Sequence, residues 1–340
     1  MFIVICVGLE FACRSPLIQQ ILPERSVGSY HAQFEIKWFK LEDYVLQNNG
    51  VDVIILGNSM VNTGINPQIL AARYKELTGT NLRIFNFGIE GLTVAPLSQV
   101  AQILEQKYHP GTILLYTEMR DYIAGNGDDV QTQFLTNHWI SSELGTPSWQ
   151  GSLIDSSAAL QHLLPLRDWS RSDFLDSYLI DLQRIKGTTA NGYEADYRTG
   201  KDVDKVPDPN DPAETANFAL FKNYSIDPAR IKDLQSILQL QGKNTQVMVA
   251  EFPAFITYYR YTTADVVSNY DRDIAQIVNQ AGSVYLPAVP YDLISLPDRA
   301  DNHHLNYKGA ALYSSLLAEQ LAKLCSQQQE CLTPAGETQP

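Results

Sequence analysis

The sequence predicts an α/β fold organised around a parallel sheet, and three observations carry that prediction. Five short runs, 51–56, 82–87, 112–116, 245–250 and 283–286, are apolar, β-branched and bounded by polar or glycine-rich turns, as strands buried on both faces are. Helical patterns at 67–77, 94–106, 228–241, 265–280 and 306–324 alternate with them. The composition, 44% hydrophobic, 10% aromatic and 19% charged over 340 residues, provides for a sizeable core without low-complexity excess. Alternating strands and helices imply right-handed crossovers and a doubly wound sheet, which binds ligands beyond the carboxyl ends of its strands.

The opening stretch, MFIVICVGLEFACRS, is strongly apolar, but its uninterrupted run ends at Glu10, short of the roughly 18 residues that span a bilayer. It lacks a basic start. Residues 1–30 therefore read as the end of a membrane anchor or signal that begins upstream, as a lipoprotein-type signal with Cys13 as the modified residue, or as a buried segment. The first two imply membrane association through the N-terminus. Cys6 and Cys13 sit at one end of the chain, Cys325 and Cys331 at the other, and neither spacing matches a zinc pattern. A bridge between Cys325 and Cys331 is one reading for an exported protein, and unpaired surface thiols are the other.

The main domain is expected over 31–325, followed by a flexible tail at 326–340. Strand 51–56 is expected at the centre of the sheet. Between the third and fourth strands, 125–227 holds no clean strand but includes Trp139, Trp149 and Trp169, and it reads as an inserted lid or subdomain on the ligand side. Its tryptophans suit either stacking on sugar faces or a small core of their own. The run 194–214, with seven acidic and three basic residues, reads as a solvated loop because its carboxylates lack the spacing of a calcium loop. The net charge of −13, from 25 basic and 38 acidic residues, repels phosphate backbones, and no basic patch offsets it. No nucleic-acid partner is expected.

Two patterns carry chemistry. Strand 51–56 runs into Gly57-Asn58-Ser59, which sets Ser59 at a strand's carboxyl end, where a serine either faces the crevice or caps the next helix. A hydroxyl needs a base to become a nucleophile. One is available in Asp301-Asn302-His303-His304-Leu305-Asn306-Tyr307-Lys308-Gly309: Asp301, three residues before His304, can accept the Nδ1 proton and leave Nε2 free for the serine. His303 is the alternative base, with its partner harder to align. Two histidines beside an aspartate also raise a metal site, for which no third ligand cluster is apparent; no metal and no organic cofactor is required.

Together these patterns resemble the SGNH/GDSL hydrolase superfamily. Gly57-Asn58-Ser59 is similar to its first block, and DNHHLNYKG to its last, D-x-x-H-L-N-x-x-G. Asn86-Phe87-Gly88-Ile89-Glu90-Gly91 is similar to its second block, with Gly91 where the family's glycine gives a backbone N–H to the oxyanion hole. The resemblance covers 51–324 apart from the insertion, and it implies a flavodoxin-like three-layer α/β/α sandwich with a five-stranded parallel sheet. The third block departs: where the family places G-x-N-D, this chain has Glu118-Met119-Arg120-Asp121, so the missing oxyanion donor is expected from Arg120 or Asn62, and Arg120 reads otherwise as a contact for a substrate anion or a partner of Glu118 or Asp121. Asn58 stands in place of the family's usual Asp. Strand 245–250 ends in Glu251-Phe252-Pro253, and with the long insertion this looks like cell-envelope proteins that move acyl groups on polysaccharides. The resemblance implies a serine esterase or O-acyltransferase acting on acyl esters of carbohydrate. Ser59, His304 and Asp301 would be catalytic, with Gly91, Arg120 and Asn58 serving the oxyanion or substrate. The rival is an inactive member that binds carbohydrate or serves assembly.

Overall fold

The computed structural model describes residues 2–335 apart from 23, 202, 213, 243, 244, 329 and 333. It divides into two compact units, Met1–Asp43 with Asp129–Ala190, and Tyr44–Asp128 with Asn191–Pro340. The expected insertion is thus split. Its part 129–190 joins the N-terminal segment, whereas 191–227 belongs to the unit that holds the sheet.

That sheet comprises β1 (Val53–Gly57), β2 (Ile84–Gly88), β3 (Thr112–Thr117), β4 (Gln246–Glu251) and β5 (Val284–Leu286), all parallel, in the order β2-β1-β3-β4-β5. The expected flavodoxin-like sandwich is present. The centre, however, is β3, with β1 beside it. Val53 pairs with Ile84 on one side and Thr112 on the other, so the carboxyl ends of β1, β2 and β3 lie level. The connections from β1 and β2 diverge there, which opens a crevice above the strand ends.

Every residue of β1, β2 and β3 is buried, because helices cover both faces. Val53, Ile55, Leu114, Tyr116 and Met248 share one core with Leu70, Tyr74, Tyr313, Leu317 and Leu321 from helices Pro67–Thr78 and Tyr307–Gln328. The alternate residues Ile54, Leu56, Ile113, Leu115 and Val249 are equally buried on the opposite face. Helices Val94–Tyr108 and Pro228–Leu238 pack together on that side. At the carboxyl edge Gly88 lets the helix Ser59–Gly64 come against the sheet, since a Cβ there would lie 2.4 Å from the Asn62 amide nitrogen.

The stretch 326–340, expected as a flexible tail, is tied down as far as residue 335. The last helix continues to Gln328, Cys325 is bridged to Cys331, and Leu332 is buried with its N–H donating to the Tyr74 hydroxyl at 3.2 Å. The Ala335 N–H donates to Asp52 at 2.9 Å. Residues 336–340 lie outside the described residues.

The helical unit has its own aromatic core. The Trp38 and Trp139 rings meet edge-on at 4.7 Å, and Phe34 lies 5.0 Å from Phe134. Trp139 therefore belongs to this core, whereas Trp149 and Trp169 are exposed. The apolar start forms a helix, Phe2–Cys13, and Cys13 is a buried free thiol. Among the described residues no helix is long and apolar enough to cross a membrane.

β4 ends on Glu251, whose carboxyl is pushed up to about 8 by burial and by the neighbouring Asp271 carboxyl. A raised folded-state value means that Glu251 contributes stability fully below its ordinary value of 4.5, and that this contribution is lost as pH rises toward about 8. Thermal unfolding of the sheet unit should accordingly shift to lower temperature over that window. Glu251→Gln should flatten the dependence, and an unchanged slope would show that Glu251 is not the group responsible.

Candidate active site

Ser59 is placed by the way β1 stops. Asn58 takes an extended backbone and its Oδ1 accepts the Met60 N–H at 3.0 Å, so a helix begins at Ser59, directly off the strand end. Gly57 makes the turn tight, since a Cβ there would meet Val61 at 2.6 Å. As the first helical residue, Ser59 has an N–H with no intrahelical acceptor.

The base comes from the loop before the last helix. The Ala300 N–H donates to the His304 carbonyl at 3.0 Å, and Arg299 bridges antiparallel to Leu305, which folds 299–305 into a narrow loop. Asn306 Oδ1 accepts the N–H groups of Lys308 and Gly309, and the helix follows. Gly309 is required there because a Cβ would lie 2.1 Å from the Asp298 carbonyl oxygen. The L-N-x-x-G pattern is thus a device for docking the helix against the loop that carries the base.

His304 Nε2 lies 2.8 Å from Ser59 Oγ, and its Nδ1 lies 2.8 and 3.0 Å from the two carboxylate oxygens of Asp301. With Nδ1–H donating to Asp301, Nε2 accepts the Ser59 hydroxyl proton. Asp301 also accepts the backbone N–H groups of His303 and His304. Burial opposes its ionisation, but these hydrogen bonds and the two imidazoles hold its carboxyl well below the usual range. His303 differs: burial, then the adjacent His304, push it down to about 3, so it stays neutral. Its Nδ1 lies 2.8 Å from Asn302 Oδ1, and its ring packs 4.0 Å from that of His304.

Asp301, His303 and His304 also hold ligand-type atoms within 4.8 Å of one another, the one such metal-capable group among the described residues. Both nitrogens of His304 are already engaged, Nδ1 by Asp301 and Nε2 by Ser59, so a cation would have to break that relay.

The expected oxyanion residues fare differently. Gly91 sits in the turn after β2 at φ +75°, a backbone that favours glycine, and its N–H has no acceptor among the described residues. Asn58 and Arg120 are committed to Glu118. Asn58 Nδ2 donates to Glu118 Oε1 at 3.0 Å, as do Arg120 Nε at 3.0 Å and Nη2 at 2.6 Å. The Tyr258 hydroxyl donates to the other oxygen, and the Tyr258 ring lies 5.1 Å from that of His303. Asn58 is therefore a cap and a partner of Glu118, not an oxyanion donor. Asn62 is engaged too, its Nδ2 donating to Glu194 at 3.0 Å. Glu118 is buried, which opposes its charge, but the Arg120 guanidinium and these donors outweigh that and hold it ionised.

Ser59 and His304 open into a cleft of about 520 Å³, lined also by Thr63, Glu90, Glu194, Asp196, Tyr197 and Arg198. The acidic run read as solvated loop therefore begins as a wall of this cleft. Alternating charges in a turn-rich stretch gave no sign of it. The pairing of Arg120 with Glu118, two residues apart, is one of the sequence's own readings, whereas Asn58 and Tyr258, 60 and 140 residues from Glu118, give no local sign of joining it.

No family model and no curated protein matches the chain. Among solved structures it is similar to a gut microbial diltiazem-metabolizing enzyme, with a TM-score of 0.36 and 9% identity, over 80% of this chain and 47% of that one. The chain thus spans about half the length of that protein.

Proposed function

We propose that the sheet unit is a serine hydrolase of the SGNH/GDSL kind, an esterase or O-acyltransferase acting on acyl esters of carbohydrate. The observation that carries this reading is the relay from Ser59 Oγ through His304 to Asp301, with both links at hydrogen-bond distance. In this reading Ser59 attacks the ester carbonyl while His304 Nε2 takes its proton. The tetrahedral oxyanion is held by the N–H groups of Ser59 and Gly91 and by Arg120 through Nη1, since its Nε and Nη2 are taken by Glu118. Collapse expels the sugar alkoxide, which takes the proton back from His304. Water or an acceptor hydroxyl then attacks the acyl-serine carbonyl as His304 takes its proton, and collapse breaks the acyl–Ser59 bond, with the Ser59 oxygen recovering the proton from His304.

We place the protein in an oxidising compartment of the cell envelope, a reading supported by the Cys325–Cys331 disulfide. The exposed Ile5 and Phe11 of the first helix support attachment to a membrane surface.

Ser59→Ala should reduce hydrolysis of a small acetyl ester at least about 10³-fold and abolish labelling by a fluorophosphonate. A wild-type protein that neither labels nor hydrolyses would favour the inactive carbohydrate-binding reading instead. His304→Ala should be as damaging, whereas His303→Ala should stay within about tenfold of wild type, because in this mechanism His303 transfers no proton. The reverse order would make His303 the base. For Arg120 the informative change is Arg120→Lys, which keeps a cation beside Glu118 but removes the fork. A fall in kcat of about 10²-fold at constant KM would mark a transition-state donor, and a rise in KM alone would mark a substrate contact.

A further inference from the structure

The wall of the cleft formed by 191–200 is fixed to the fold along its length. The Asn86 N–H donates to the Asn191 carbonyl at 2.9 Å, the Glu194 N–H to that of Asn62 at 3.4 Å, the Tyr307 N–H to that of Asp196 at 2.7 Å, and the Gly200 N–H to that of Arg299 at 2.8 Å. Gly192 permits the close approach at φ +83°, because a Cβ there would lie 2.2 Å from the Asn86 carbonyl oxygen. The backbone of this wall is therefore held against β2, the helix Ser59–Gly64 and the last helix.

The charges they present are one-sided. Glu194 and Asp196 on the wall, with Glu90 from the turn after β2, set three carboxylates against one guanidinium, that of Arg198. Arg198 is itself clamped by Asp196, with contacts of 3.1, 3.0 and 2.6 Å, and lies 3.8 Å from Asp301, so its charge is answered from two sides. Beside these acids Tyr197 is 77% exposed, its ring 5.3 Å from that of Tyr307. Carboxylates accept hydrogen bonds from hydroxyl or ammonium groups, and an exposed aromatic face suits the C–H side of a sugar ring.

We propose that this wall is a charge filter: the cleft accepts esters whose alcohol part is a polyhydroxylated ring that is neutral or bears an ammonium group, and it disfavours rings bearing a carboxylate. The ester part of this statement rests on the hydrolase reading, whereas the charge order does not. A single charge a few ångströms from a bound ion in a half-open cleft changes affinity by about tenfold.

The test compares acetylated glucosamine, glucose and glucuronate as substrates, below neutral pH where the amine is charged. It uses wild type, Glu90→Gln and Glu194→Gln, with Glu319→Gln as a control for net charge. In wild type the glucosamine ester should exceed the glucuronate ester in kcat/KM by about tenfold or more, and each cleft variant should cut that ratio severalfold while the control preserves it. Equal wild-type rates, or a ratio indifferent to both cleft variants, would overturn the filter. Binding of the three unacylated sugars to Ser59→Ala, read by NMR saturation transfer, separates the two claims. The same charge order without turnover keeps the filter and removes the hydrolase, and turnover without charge order does the opposite. Absence of both turnover and binding for all three sugars overturns the filter.

Discussion

The hydrogen bond between Ser59 and His304 joins residues 245 positions apart, and nothing local holds them together. Their meeting depends on the parallel ladder. β1 must be interior, its carboxyl end level with β2 and β3, and the last helix must pack against Pro67–Thr78 for the preceding loop to lie over the strand ends. Parallel strands with both faces buried tolerate few register errors, because a one-residue slip would exchange the two cores. The precision of the relay is therefore inherited from packing well away from it.

Glu118 supplies a second constraint. Its buried carboxylate gathers Asn58, which caps the helix Ser59–Gly64, Tyr258, which packs on His303, and Arg120. A buried charge is tolerated only when its partners are all in place, so these groups behave as a unit. Arg120 and the glutamate two residues before it are two halves of one ion pair, and an amide at 120 would leave the carboxylate without its cation.

Local signals made much of this legible. All five strands and the helices at 67–78, 94–108, 228–238, 264–280 and 307–328 followed from apolar runs and alternation, since parallel strands advertise themselves as unbroken hydrophobic stretches, whereas the helix Ser59–Gly64 and the helices between Asp128 and Phe221 did not. The pairing of Asp301 with His304 followed from their spacing. What stayed hidden was long-range and polar: Asn58 and Glu118 carry no mark of each other, and Glu194 and Asp196 resemble any acidic loop until the fold sets them over Ser59. The assembly of a helical unit from Met1–Asp43 and Asp129–Ala190 also leaves no local trace, nor does a six-residue separation of cysteines distinguish a bridge from two thiols.

The order of elements along the chain also sets a sequence of events in time. Synthesis proceeds from the N-terminus, and the segment holding Ser59 is made before most of the sheet, while Asp301 and His304 are among the last residues made. Until the final helix docks, Ser59 is an ordinary alcohol with no base beside it. A nascent chain paused anywhere before residue 300 cannot carry the relay, so the Ser59–His304–Asp301 contacts are completed only when the sheet unit is essentially complete.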